Sequence, residues 1–77
     1  MQTIKINSRV EIPKNYTGIV KWPEGTKHWF FKGKLHRIDG PAIELANGTK
    51  YWYYNGKQTT KESMEILRDF LKLKNLL

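Results

Sequence analysis

Residues 25–34 read GTKHWFFKGK and residues 48–57 read GTKYWYYNGK, one phrase written twice at an offset of 23 residues. Gly25/Gly48, Thr26/Thr49, Lys27/Lys50, Trp29/Trp52, Gly33/Gly56 and Lys34/Lys57 are identical, and His28/Tyr51, Phe30/Tyr53 and Phe31/Tyr54 stay aromatic. In a chain of 77 residues, a repeat this dense predicts a fold assembled from a duplicated short unit. It also concentrates rings and lysines in one recurring element, which bounds the surface the protein can offer.

Glycines at 18, 25, 33, 40, 48 and 56 punctuate the chain every seven or eight residues, with β-branched and aromatic runs between them. That rhythm predicts strands over residues 19–22, 26–31, 34–36, 42–45, 49–54 and 57–59. Pro23-Glu24-Gly25, Lys32-Gly33, Asp39-Gly40-Pro41, Asn47-Gly48 and Asn55-Gly56 supply the turns, because Asn, Asp and Gly tolerate the positive φ of tight hairpins. Connections so short favour antiparallel pairing throughout, since a parallel pair needs a crossover. Residues 2–12 read as a further strand ended by Pro13. From Thr59 the period changes: Thr59 stands three before Glu62, as in a capping box, and Met64, Ile66, Leu67, Phe70, Leu71, Leu73 and Leu77 recur at helical spacing. Glu62 and Glu65 near the start, with Lys72 and Lys74 near the end, suit the helix dipole. The fold class expected is α+β: an antiparallel meander of two repeats of about 23 residues plus one C-terminal amphipathic helix, in a single domain over 1–77. Residues 1–17 form its strand lead, 18–59 the hairpin repeats and 60–77 the helix. The helix stripe is expected to bury itself on the meander, the alternative being to dock on another chain.

A chain of this length has a thin core, and three Trp, four Tyr and three Phe are the means of filling it. With no cysteine it has neither disulfide framework nor thiolate zinc site. No apolar run approaches the ~18 residues of a membrane span, and MQTIKINSRVEIP lacks the apolar stretch of a signal peptide, so no membrane partner is expected. The formal charge is +7, and its excess is unevenly placed: residues 1–59 hold ten Lys/Arg against four Asp/Glu, residues 60–77 four against three. A basic field over the repeats favours polyanions, although net charge also serves solubility.

Residues 34–43 read KLHRIDGPAI and are flanked by WFFKGK and WYYNGK. This resembles a short repeat common in small proteins of tailed bacteriophages, running roughly W-x-x-N-G-K-x-H-R-x-D-G-P-A and MORN-like in style. The resemblance covers about residues 18–59. The second copy departs from it after Lys57, where Gln58-Thr59-Thr60 replaces His-Arg, and the first at its start, where Asn15-Tyr16-Thr17-Gly18 replaces DGPA. The resemblance implies a β-hairpin array capped at both ends, a phage origin, residence in the host cytoplasm and no enzyme activity. By analogy of fold alone it also implies interference with host or defence machinery.

His28 and His36 are the only histidines, and no carboxylate stands at a spacing that would make either a metal ligand or half of an acid/base pair. No cofactor is expected. Arg37-Ile38-Asp39-Gly40-Pro41 reads first as a turn, with Asp39 accepting backbone N–H groups and Arg37 pairing with Asp39 or Glu44; Arg37 pointing outward to a phosphate is the other reading. The strongest functional signal is rings interleaved with lysines on strands whose side chains alternate faces. Trp29 and Trp52 are assigned to the core with Val20, Trp22, Ile43 and Leu45. His28, Phe30, Tyr51 and Tyr53 then form the outer face, ringed by Lys32, Lys34, Arg37, Lys50 and Lys57. Such a face suits single-stranded RNA or DNA, with bases on rings and cations on phosphates. It suits a protein partner's hot spot or plain cross-strand stabilisation as well. The function expected is a non-enzymatic binding protein engaging RNA, single-stranded DNA or a nucleic-acid-associated host or defence protein, for example as inhibitor of a ribonuclease toxin. A protein-only inhibitor and a passive virion module are the rivals, and a homodimer is compatible with the small core.

Overall fold

The computed structural model describes residues 2–5 and 12–75. Among these residues seven strands, β1 (Gln2–Lys5), β2 (Gly18–Lys21), β3 (Lys27–Phe31), β4 (Lys34–Leu35), β5 (Ile43–Glu44), β6 (Lys50–Tyr54) and β7 (Lys57–Thr59), are followed by one helix, α1 (Lys61–Leu73). The class is α+β, and the sheet is mixed. Its order is β1-β2-β3-β5-β6-β7, with β4 beside β3. The N-terminal strand corrects the all-antiparallel expectation, because β1 runs parallel to β2 with Gln2 opposite Gly18 and Lys5 opposite Lys21. Residues 6–11 of the strand expected over 2–12 lie outside the described residues.

Turn chemistry sets the remaining registers. Lys32 and Gly33 carry φ of 50° and 82°, Asn55 and Gly56 φ of 48° and 85°, the double positive φ of a two-residue type I′ hairpin. Each sets a ring opposite a lysine: Phe31 faces Lys34 and Tyr54 faces Lys57. The β2–β3 connection is a three-residue loop. The Trp22 N–H donates to Thr26 O at 2.9 Å and the Gly25 N–H to Trp22 O at 3.0 Å. The β5–β6 loop has the same form, with the Leu45 N–H on Thr49 O at 2.8 Å and the Gly48 N–H on Leu45 O at 2.9 Å. It therefore includes Ala46 and is one residue longer than the Asn47-Gly48 turn expected.

Loop length decides which residues share a face, and it overturns the core expected. Val20 pairs with His28, His28 with Ile43 and Ile43 with Tyr51, so these four lie on one face; Ile19 pairs with Trp29 on the other. On the first face Tyr16 and Val20 are buried, with Ile4, Ile12, Trp22 and Phe30 packed against them. The loop before β2 covers this face, and the Tyr16 hydroxyl donates to Ile19 O at 3.0 Å. Gly18 is fixed by that packing. Its φ is 146°, and a Cβ there would stand 2.5 Å from Gln2 O and 2.6 Å from the Tyr16 hydroxyl. The second face carries Trp29, half-buried, and Trp52, likewise half-buried. Ala42 and Met64 are buried, and α1 packs back on β6 with Met64 beside Trp52. The thin chain thus divides its apolar residues between two faces of one sheet.

Helix α1 starts one residue later than the capping box predicts. Thr60, in extended conformation, is the cap, and its hydroxyl accepts from the Ser63 N–H at 3.1 Å. The stripe is only partly covered: Met64 is buried and Leu67 and Leu71 half-buried, while Ile66, Phe70 and Leu73 remain 72%, 52% and 85% exposed. Leu77 lies outside the described residues. Among the described residues no helix is long and apolar enough to cross a membrane.

Candidate nucleic-acid interface

The Arg37–Pro41 segment interrupts the sheet between β4 and β5, and its side chains explain why those residue types occur together. The Arg37 guanidinium lies 4.0 Å above the Trp29 ring centroid. Its Nε donates to Asp39 Oδ1 at 3.0 Å, and Nη1 donates to Pro41 O at 3.2 Å and to Glu44 Oε2 at 3.3 Å. Gly40 leaves room for it, since a Cβ there would meet Arg37 Cζ at 2.8 Å. Pro41 gives up its carbonyl, and Ala42 passes beneath, fully buried. The turn is a clamp that closes Arg37 over Trp29. The sequence allowed Arg37 to pair with Asp39 or Glu44 or to reach outward to a phosphate; it bonds to both carboxylates and, beyond that expectation, stacks on Trp29.

Closing the turn positions His36. Its backbone N–H donates to Trp29 O at 3.0 Å, and its ring Nδ1 accepts the Asn55 backbone N–H at 2.9 Å. That acceptor role places the imidazole proton on Nε2, and burial lowers the pKa below the usual 6.5, so the ring is neutral. His36 bridges the two hairpins. The Tyr54 ring meets it edge-on at 5.0 Å and the Phe31 ring lies at 5.6 Å. Lys32 Nζ sits 5.3 Å from the Phe31 centroid, and Lys34 and Lys57 stand across from Phe31 and Tyr54. The row Phe31–His36–Tyr54 therefore forms a rim fringed by three exposed cations. Beside it runs a groove of about 520 Å³ lined by Trp29, Phe31, His36, Arg37 and Ile38.

Apart from Arg37, held in its clamp, the residues named from sequence fall into three places. Lys32, Lys34 and Lys57 meet at this rim. His28, Phe30, Tyr51 and Tyr53 lie on the other face. There His28 Nδ1 accepts the Trp22 Nε1–H at 3.3 Å, and Phe30 packs on Tyr16, so those two rings belong to the core. Burial holds the His28 pKa down against the upward pull of Glu24. Tyr51 is the exposed ring of that face, at 38%. Lys50 stands apart, in a cleft of about 260 Å³ with Trp52, Met64 and Arg68.

Phe31, His36 and Tyr54 are the rings that sequence reasoning left out. A signal for two of them was present: an aromatic directly before a two-residue turn and a lysine directly after it must face one another across the hairpin. Among the described residues no group of three or more His, Cys, Asp or Glu side chains gathers as metal ligands would. The site can stack planar groups, donate from His36 Nε2 and neutralise anions. Comparison with family models, with curated proteins and with solved structures finds no match to this chain.

Proposed function

We propose that the protein binds single-stranded nucleic acid along the Phe31–His36–Tyr54 rim, bases stacking on the rings and phosphates meeting Lys32, Lys34 and Lys57. The observation that carries this reading is the continuous row of three rings, spaced 5.6 and 5.0 Å apart, with lysines registered opposite its two ends. Stacking tolerates any base, so the binding is sequence-tolerant, and a formal charge of +7 supplies long-range attraction. The two halves are read as a duplicated unit. In support, loops 23–25 and 46–48 make the same two hydrogen bonds, and turns 32–33 and 55–56 have the same pair of positive φ values. Duplication then gives the rim its two similar ends. The resemblance to hairpin-repeat proteins of tailed phages adds the setting: a small protein that interferes with host or defence nucleic-acid machinery without catalysing a reaction.

Titration of fluorescent single-stranded RNA and DNA at about 50 and 200 mM salt tests this. Binding is expected at low salt and steep weakening at high salt. Charge reversal of Lys32, Lys34 and Lys57 should lower the slope of log K against log salt by roughly 0.7 for each phosphate no longer neutralised. No binding at low salt would overturn the reading in favour of a protein partner on the same rim.

A further inference from the structure

The outward face of α1 is apolar where a monomer would be expected to be polar. Ile66, Phe70 and Leu73 recur at i, i+4 and i+7, are 72%, 52% and 85% exposed, and point away from the side on which Met64 is buried. The helix therefore carries two apolar faces, and the sheet covers one. In heptad terms Ser63 and Phe70 occupy a, and Ile66 and Leu73 occupy d. The flanks have opposite character. Glu62 and Asp69 fall at g on one side; Leu67 and Lys74 fall at e on the other.

We propose that this face pairs in parallel with the same face of a second copy of the chain. Flank charge selects both occupant and direction. In a parallel pair g faces the e position five residues further along the other helix, which sets Asp69 of each copy against Lys74 of the other, twice by symmetry. In an antiparallel pair like flanks meet, so the Glu62–Asp69 edge would face its own copy with charges of one sign. The same acidic edge disfavours an anionic lipid surface as the occupant. Lys74 is placed for the contact, its Nζ reaching back over the Phe70 ring at 5.8 Å to the edge of the apolar face. Three large side chains per copy make a small interface, so the pairing belongs with the weak, reversible contacts.

Sedimentation equilibrium across about a hundredfold range of protein concentration, bracketing the micromolar, reads this out as a mass that rises from one chain to two. Leu73→Glu should give a single-chain mass throughout with an unchanged circular-dichroism spectrum, because Leu73 touches little of its own fold. Asp69→Lys should weaken dimerisation about tenfold, and Asp69→Lys with Lys74→Asp should restore it. A single-chain mass for wild type at every concentration overturns the proposal, and vesicle binding by that monomer would assign the face to lipid instead. A dimer that survives Leu73→Glu overturns the face, and a dimer tightened by Asp69→Lys overturns the parallel direction.

Discussion

The Arg37 clamp can be tested by removing either of its two halves. Arg37→Ala deletes a guanidinium that is 22% exposed, stacked on Trp29, and bonded to one carbonyl and two carboxylates. The Asp39 pair contributes little, since that carboxylate is 81% exposed and screened by water. The stack is worth about 1 kcal/mol in a partly desolvated site. The charge-assisted bond to Pro41 O adds about 1.5 kcal/mol. A loss of about 2–3 kcal/mol follows, out of the roughly 4–12 kcal/mol a domain of this size possesses, so the variant stays folded in water. In urea the midpoint should fall by about 2 M or more, taking m near 1 kcal/mol/M for so small a chain. Gly40→Ala should be destabilising for the same reason, because its Cβ would stand 2.8 Å from Arg37 Cζ while Gly40 itself has no positive φ to lose. The two changes must then be coupled. In the Arg37→Ala background, Gly40→Ala should cost less than about 0.5 kcal/mol. Additive effects, or a wild-type midpoint for Arg37→Ala, would refute the clamp.

Gly18→Ala should cost at least about 3 kcal/mol and speed amide exchange over β2, since its Cβ would strike backbone at Gln2 O and φ is 146°. Thr60→Ala should cost about 1 kcal/mol and fray the first turn of α1, whereas Thr59→Ala leaves the cap bonded; equal effects in thermal melts would contradict the observed cap. Both histidines have folded-state pKa values below the ordinary 6.5, so the unfolded chain takes up protons first as pH falls. The stability they contribute is complete above that value and is lost as pH drops through their lowered folded values. Urea midpoints should therefore fall between neutral pH and the carboxylate range, and His36→Gln should flatten that fall.

Much of this fold was legible, and the exchange of the two sheet faces comes down to strand parity. The type I′ turns at Lys32-Gly33 and Asn55-Gly56, the hairpin rhythm and the C-terminal helix all follow from local chemistry that residue types declare. What went astray was parity. A three-residue loop at Pro23-Glu24-Gly25 pairs even-numbered residues with even, which puts Val20 with His28 rather than with Trp29. Reading the second loop as Asn47-Gly48 instead of three residues hides the same rule. At the second loop one residue of length exchanged the faces; at the first the three-residue turn was legible but its parity was not followed through, and the candidate rings moved with both. The parallel pairing of β1 depends on interactions between residues distant in the chain, which no local pattern encodes. The helix stripe was visible as seven apolar positions, but its division into a covered and an open face depends on how small the sheet is. The clamp was half legible: Arg37 with Asp39 or Glu44 was foreseen, and the stack on Trp29, which makes the turn rigid, was not.

The proposed function places nucleic acid on the Phe31–His36–Tyr54 rim. Heteronuclear NMR of isotope-labelled protein, titrated with a short single-stranded RNA, tests it residue by residue. Shift changes should concentrate at Phe31, Lys32, Lys34, His36, Tyr54 and Lys57, with aromatic ring protons of Phe31 and Tyr54 moving upfield as bases stack on them. Changes confined to Tyr51 and Tyr53 on the opposite face, or none at all at low salt, would contradict the account.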